Sequence, residues 1–271
     1  MTPPLSPLVA GYDHVLLDLD GCVWVGDEAT PGAADALAAL RAAGRGIAFV
    51  TNDGRHSVEE FVRKLWGLGM KASQEEVVTV GGALQFLLAE RYGAQRPPAV
   101  VIGSPSIHRH VEAAGLRIVN GTDFVARAAV VIVSGYEHFG FPELRDATTA
   151  VLRGADLIAT SRDPTYPTAD GLWPGTGALV AAVETATGRR AHAIGKPEAG
   201  LVHAALDRLG PGRALFVGDR LDTDIAAARN AGIDGAVVLT GSTTRDQAEA
   251  ADPGPIAIAP TLADLVLASA P

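Results

Sequence analysis

The chain has one cysteine in 271 residues, Cys22, which excludes an intrachain disulfide framework and a multi-cysteine zinc site. So little cysteine is the usage of a reducing compartment, and a cytoplasmic location is the expectation. Basic residues are in deficit, with 22 Lys+Arg against 31 Asp+Glu for a formal net charge of −9. Nucleic acid and anionic membrane both require a positive footprint, so neither is expected as a partner. No apolar run approaches the roughly eighteen residues of a membrane span. The opening Met1-Thr2-Pro3-Pro4-Leu5-Ser6-Pro7 lacks the basic start and long apolar stretch of a secretion signal, and it predicts a frayed tail. Aromatics are sparse at 5%, yet hydrophobic residues make up 48% and charged ones only 20%, a balance that excludes disorder.

What is present is an alternation of short β-like runs with helical ones. The strands read His14–Asp20, Ile47–Asn52, Ala99–Ile102, Ala129–Val133, Asp156–Ala159, Ala191–Ile194, Ala214–Val217, Ala236–Leu239 and Ile256–Ala259. Helices of about ten residues separate most of them, and Ser57 with Glu60 three residues on predicts a capping box. Such alternation predicts an α/β fold, a doubly wound, mainly parallel sheet with helices on both faces. The Gly81-Gly82 pair and the polar Thr187-Gly188-Arg189-Arg190 stretch suggest places where the chain leaves and re-enters a core. The expected division is a core of residues 1–80 and 188–271 with an inserted α/β domain over 81–187.

Open α/β sheets bind ligands at the carboxyl ends of their strands, so the residues just past each apolar run matter most. Four such endings carry reactive or anion-handling groups: Asp18-Leu19-Asp20-Gly21, Thr51-Asn52, Lys196-Pro197, and Gly218-Asp219 followed by Asp222, Thr223 and Asp224. Gathered carboxylates repel one another if dry and unpaired. A hard divalent cation resolves this, and an oxygen-only donor set indicates Mg²⁺ rather than zinc. Lys196 adds a compact positive charge, while Thr51 and Asn52 add directional hydrogen bonds. Together these groups describe a phosphoryl site. Each pair alone is a common turn or cap, and their ordered co-occurrence at strand ends carries the reading.

That order resembles the four motifs of the haloacid dehalogenase superfamily of phosphatases, in the branch with a large α/β cap inserted between the second and third motifs. The branch includes 4-nitrophenylphosphatases, phosphoglycolate and glycerol-phosphate phosphatases, and nucleotide or sugar monophosphatases. Thr160-Ser161-Arg162-Asp163…Pro167…Pro174-Gly175-Thr176-Gly177 is similar to a segment of that cap. The resemblance implies a Mg²⁺-dependent hydrolase of small phosphate monoesters, with p-nitrophenyl phosphate as a generic substrate and the physiological one left open within the branch. Asp18 would then be the nucleophile, and Asp20 the acid and later the base. Mg²⁺ would be held by Asp18, the Asp20 carbonyl and Asp219, with Asp224 behind them or reaching through water. Thr51, the Asn52 amide, Lys196 and Gly21 would hold the phosphate. A small phosphorylated metabolite is the implied partner, along with a homodimer formed through the cap. A phosphomutase, a dehalogenase or a phospho-acceptor regulatory module are the alternatives. Asp20 and Asp219 argue against the metal-free dehalogenase, and the length argues against a receiver-like module.

Two departures stand out. Asp53 occupies a position where the family commonly has Asn, and it is expected to point away and cap the helix near Ser57. Ser161 likewise replaces a usual Asn, and Arg162 beside it is expected to read a second anionic group on the substrate. Pro197 stands where a phosphate-binding P-loop needs Ser or Thr. Trp24, Trp66 and Trp173 read as packing residues, with Trp173 also placed to line a substrate entrance.

Overall fold

The computed structural model describes residues 3–93, 95–168 and 171–268. Met1 and Thr2 of the expected tail lie outside them. The rest of that tail is tied down rather than frayed. Leu5 bridges Leu267, the Ser6 N–H donates to Val266 O at 2.8 Å, and Ser6 Oγ donates to Leu265 O at 2.7 Å. Ser6 caps a single helical turn, Pro7–Ala10, in which proline occupies the first position.

Six parallel strands form the first sheet, in the spatial order Ala257–Ala259, Asp234–Val238, Ala214–Gly218, His14–Leu17, Gly46–Thr51 and Val77–Thr79. Alternate residues bury on opposite faces, as the two-residue period of a strand dictates. Val15, Leu17, Phe49 and Val217 pack with Leu37, Leu40, Phe61 and Leu65 on one side. Leu16, Val50 and Phe216 pack with Leu201, Val202 and Ala227 on the other. The winding reverses between His14–Leu17 and Ala214–Gly218, so a crevice opens there at the carboxyl ends of the two strands. Asp18 and Asp219 are the residues that follow these strands.

A second parallel sheet orders His192–Ala193, Asp156–Ala159, Val130–Val133, Pro98–Ile102 and Arg117–Ile118. It has its own apolar clusters on both faces. The strand expected over Ala191–Ile194 shortens to His192–Ala193 and pairs with Ile158 and Ala159, so it belongs to this sheet rather than the first. Val77–Thr79 is a strand that the apolar pattern does not announce, because it runs straight into the Val80–Tyr92 helix capped by Thr79. The Gly81-Gly82 pair lies inside that helix. A Cβ on Gly81 would stand 2.6 Å from the His110 ring, so the glycine serves close packing against the Pro105–Ala113 helix. The Ser57–Glu60 capping box is present at the head of the Val58–Gly67 helix.

Two short antiparallel ribbons complete the fold. Trp24–Val25 pairs with Glu28–Ala29, and Thr165–Thr168 pairs with Gly171–Pro174. Among the described residues no helix is long and apolar enough to cross a membrane.

Candidate active site

The first strand delivers Asp18, buried at 7% exposure, to the mouth of the crevice. Lys196 Nζ lies 2.5 Å from Asp18 Oδ1 and 2.8 Å from Asp224 Oδ1, and it also donates to Val50 O at 3.1 Å. Asp224 Oδ2 accepts the backbone N–H groups of Asp219 and Arg220 at 3.1 and 3.0 Å. Asp224 thus shapes the turn that presents Asp219 while it neutralises the lysine. Asp219 is steadied by the Ser242 N–H, which donates to Oδ2 at 2.6 Å.

Backbone crowds these carboxylates so closely that side chains are excluded. A Cβ on Gly21 would lie 2.5 Å from Asp219 Cγ, and Gly21 also sits at φ 88°. Equivalent atoms would fall 2.1 Å from Asp219 Oδ2 at Gly241 and 2.3 Å from Asp224 Cγ at Gly218.

Burial dominates the electrostatics. It pushes up the Asp18 carboxyl, Lys196 opposes the shift, and Asp224 and Asp219 reinforce it. Asp219 is raised to about 6, first by burial and then by Asp224. Burial disfavours the Lys196 charge, but Asp18 and Asp224 outweigh it and hold the ammonium above the usual lysine range. Three buried carboxylates against one ammonium leave uncompensated negative charge. Asp219 Oδ1 is buried with no hydrogen-bond partner, and ligand atoms of Asp18, Asp219 and Asp224 lie within 4.8 Å of one another. An all-oxygen cluster of this kind fits a hard divalent cation.

Asp20 stands outside that cluster. Its carboxyl is pushed up by burial and by nearby Asp53, against the Trp24 N–H that favours the ionised form. Asp53 does not cap the helix at Ser57. It accepts from the Arg55 backbone at 2.7 Å and from Arg55 Nε at 3.0 Å, and it meets His56 Nδ1 at 2.8 Å. Burial opposes its charge, yet these bonds hold Asp53 well below the usual carboxylate range. That pairing is how an extra carboxylate is tolerated here.

Asp18, Asp20, Thr51, Asn52, Lys196, Asp219 and Asp224 all line one cleft of about 360 Å³ between the two sheets. Three of the expected contacts are corrected. The Gly21 N–H donates to Trp24 O at 2.7 Å, so Gly21 gives room to Asp219 rather than a donor to phosphate. The Asn52 side chain is consumed by protein, with Nδ2 donating to Asp163 Oδ2 and to Lys196 O and Oδ1 accepting from Lys196 N. Arg162 is absent from the cleft wall. Its guanidinium binds Glu184 at 2.8 Å and Ala191 O at 2.6 Å, since the residue after buried Ser161 faces the opposite way.

Other lining residues lie outside the four strand-end motifs. Tyr166 and Trp173 come from the Thr165–Pro174 hairpin, and Arg55 lies 3.9 Å over the Tyr166 ring. Trp173 is a wall residue of the cleft, whereas Trp66 is 58% exposed instead of packed. Cys22 is a buried free thiol packed in the first sheet's apolar cluster.

A switch-point crevice that pairs an aspartate cluster with a buried lysine, under a wall from a second sheet, is the ligand site of an α/β enzyme built for an anion and a cation together. Residues 15–117 match the haloacid dehalogenase-like hydrolase family, and residues 193–265 match a second family of the same kind. Human chronophin is 37% identical over 259 residues, covering 91% of this chain and 87% of its own. The crystal structure of glycerol phosphate phosphatase from Mycobacterium tuberculosis, in complex with magnesium, superposes with TM-score 0.87 at 38% identity, over 97% of this chain and 80% of that one. The 4-nitrophenylphosphatase structure from Thermotoga maritima gives TM-score 0.86 at 29% identity, over 96% and 98%. The chain belongs to the haloacid dehalogenase-like hydrolases, in the branch of the 4-nitrophenylphosphatases, and is a phosphatase.

Proposed function

We propose that this chain is a Mg²⁺-dependent hydrolase of small phosphate monoesters that works through an aspartyl-phosphate on Asp18. One observation carries the reading: Lys196 clamps Asp18 and Asp224, at 2.5 and 2.8 Å, beside a buried Asp219 oxygen that lacks any hydrogen-bond partner. Asp18 and Asp219, with the Asp20 carbonyl that the family resemblance adds, would hold the cation. When bound, Mg²⁺ supplies the positive charge that lets a phosphate approach an aspartate cluster.

An Asp18 oxygen attacks phosphorus, and the bond to the leaving oxygen breaks with its electron pair on that oxygen. Asp20, its carboxyl pushed up by burial and Asp53, gives the departing alcohol its proton. In the second half Asp20 takes a proton from water as the water oxygen attacks phosphorus. The Asp18–phosphorus bond breaks, restoring the carboxylate and releasing inorganic phosphate. Lys196 stabilises the charge that spreads over the phosphoryl oxygens, and Thr51 lines the same wall.

Residues from the loops after second-sheet strands and from the hairpin line the opposite side of the cleft, which supports the inserted segment as a cap that excludes water and reads the leaving group. The partner is a small phosphorylated metabolite, neither nucleic acid nor membrane, in line with the −9 charge. Phosphoglycolate, glycerol phosphate, nucleoside monophosphates and sugar phosphates are the candidates. A cytoplasmic setting agrees with the buried lone thiol, and pairing of two copies through the cap follows the family resemblance. Purified protein with Mg²⁺ should release phosphate from p-nitrophenyl phosphate. Activity that survives Asp18→Asn, or that ignores EDTA, would overturn the mechanism.

A further inference from the structure

Trp24 reads in the sequence as a core residue, and at 1% exposure it is buried like one. Its Nε1–H is nevertheless spent on Asp20, donating to Oδ1 at 2.9 Å. Among the described residues this is the one hydrogen bond to the Asp20 carboxyl. The chain is folded back to make it. The Trp24 N–H donates to Leu19 O at 3.1 Å, the Gly21 N–H donates to Trp24 O at 2.7 Å, and Asp20 and Trp24 form a β-bridge.

The ring is held from outside the turn as well. Phe61 of the Val58–Gly67 helix stacks on it with centroids 6.4 Å apart and planes at 13°. Lys64, one helical turn on, places Nζ 4.6 Å from the ring centre while donating to Gly26 O at 2.7 Å. A tryptophan so clamped holds its N–H in one place. Asp20 has rotatable side-chain bonds and lines two adjoining clefts, so its carboxyl has room to turn.

We infer that Trp24 is a positioning residue. It pins Oδ1 of Asp20 so that Oδ2 faces the leaving oxygen during formation of the aspartyl-phosphate. The inference rests on the acid role of Asp20 given above. Its consequence concerns one proton: as the phosphorus–oxygen bond breaks, that proton passes from the Asp20 carboxyl to the departing oxygen. A weakly basic leaving group departs without it, whereas an alkoxide does not. Loss of the pin should therefore penalise esters in proportion to the basicity of what leaves.

The experiment measures kcat/KM, which reports the steps through the first bond cleavage, for p-nitrophenyl, phenyl and ethyl phosphate. Trp24→Phe keeps the stacked ring and removes the N–H. It should lose about threefold on p-nitrophenyl phosphate and about thirtyfold on ethyl phosphate, part of the ~10²–10⁴-fold that a positioned acid contributes. Equal loss on all three esters would reduce Trp24 to packing and overturn the inference. Asp20→Asn is measured alongside and should steepen the same trend further. If Asp20→Asn itself gives a flat loss, the acid assignment fails and not the pin. Should Trp24→Phe not fold, Phe61→Leu loosens the clamp and leaves the N–H. A loss that grows with leaving-group basicity then sustains the inference, and a uniform loss or none overturns it.

Discussion

Asn52 Nδ2 donates to Asp163 Oδ2 at 3.0 Å, joining residues 111 apart in the chain and the loops that follow strands of two different sheets. The same carboxamide brackets Lys196, donating to its carbonyl at 3.0 Å and accepting from its N–H at 2.8 Å. Asn52 thus sets the height of Lys196 as well as the approach of the upper wall. Asn52→Ala should cost roughly 2–3 kcal/mol for buried partners left unmet, and Asp163→Ala about 1 kcal/mol. Urea unfolding measures both. Only Asn52→Ala should also depress kcat, because only it frees the Lys196 backbone. An equal fall in kcat for Asp163→Ala would mean that the link between sheets matters more than the lysine anchor.

Lys196→Met leaves Asp18 and Asp224 facing each other without their cation. Stability should fall by about 3–5 kcal/mol, as when one partner of a buried pair is removed. Activity should drop by at least ~10²–10³-fold with the lost stabilisation of the phosphoryl charge. Adding Asp224→Asn to Lys196→Met should recover part of the stability and none of the activity. Denaturant titration and steady-state rates separate the two effects.

Gly21→Ala meets the Asp219 carboxyl 2.5 Å from its Cβ at a φ of 88°. The strained backbone should cost on the order of 1–3 kcal/mol. Under the proposed function Asp219 holds the cation, so the Mg²⁺ concentration for half-maximal activity should rise more than KM for the ester. A variant with unaltered Mg²⁺ dependence would show that the turn relaxes freely.

The raised Asp219 carboxyl has a sign that can be checked. Its folded-state value of about 6 lies above that of an unfolded aspartate, near 3.9, so the metal-free fold binds the extra proton. In metal-free protein this group's contribution declines as pH rises from about 4 to about 6, where the charged form is forced into a buried site. A cation reverses that penalty and needs the ionised ligand. The Mg²⁺-induced rise in melting temperature should therefore be small at pH 5 and larger at pH 7. An equal rise at both would show that Asp219 is not a ligand.

Much of this site is legible in the linear chain because it hangs from strand ends. Asp18, Thr51 and Asp219 end or follow apolar runs of the first sheet, and strand geometry brings such ends to one edge, whereas Lys196 arrives from a strand of the second sheet. What could not be read depends on orientation. Arg162 follows Ser161 immediately, but neighbouring side chains on extended chain point apart, and Glu184 with Ala191 O claims the guanidinium. Asp53 sits where a helix cap is expected because Ser57 begins a helix, yet Arg55 and His56 are nearer partners. The two-residue strand His192–Ala193 has no periodicity to reveal which sheet it joins. Trp24 is apolar enough to pass as core, and nothing in its neighbours announces that its N–H is spent on Asp20.

The missing Cβ atoms at Gly21, Gly218 and Gly241 have an evolutionary consequence. With main chain pressed against Asp219 and Asp224, no new side chain can reshape that floor without moving the strand ends that carry it. A descendant of this chain that acquires a different ester must rewrite the opposite wall, at Tyr136, Phe139, Tyr166 or Trp173. The chemistry is inherited as a unit, and the appetite is free to drift.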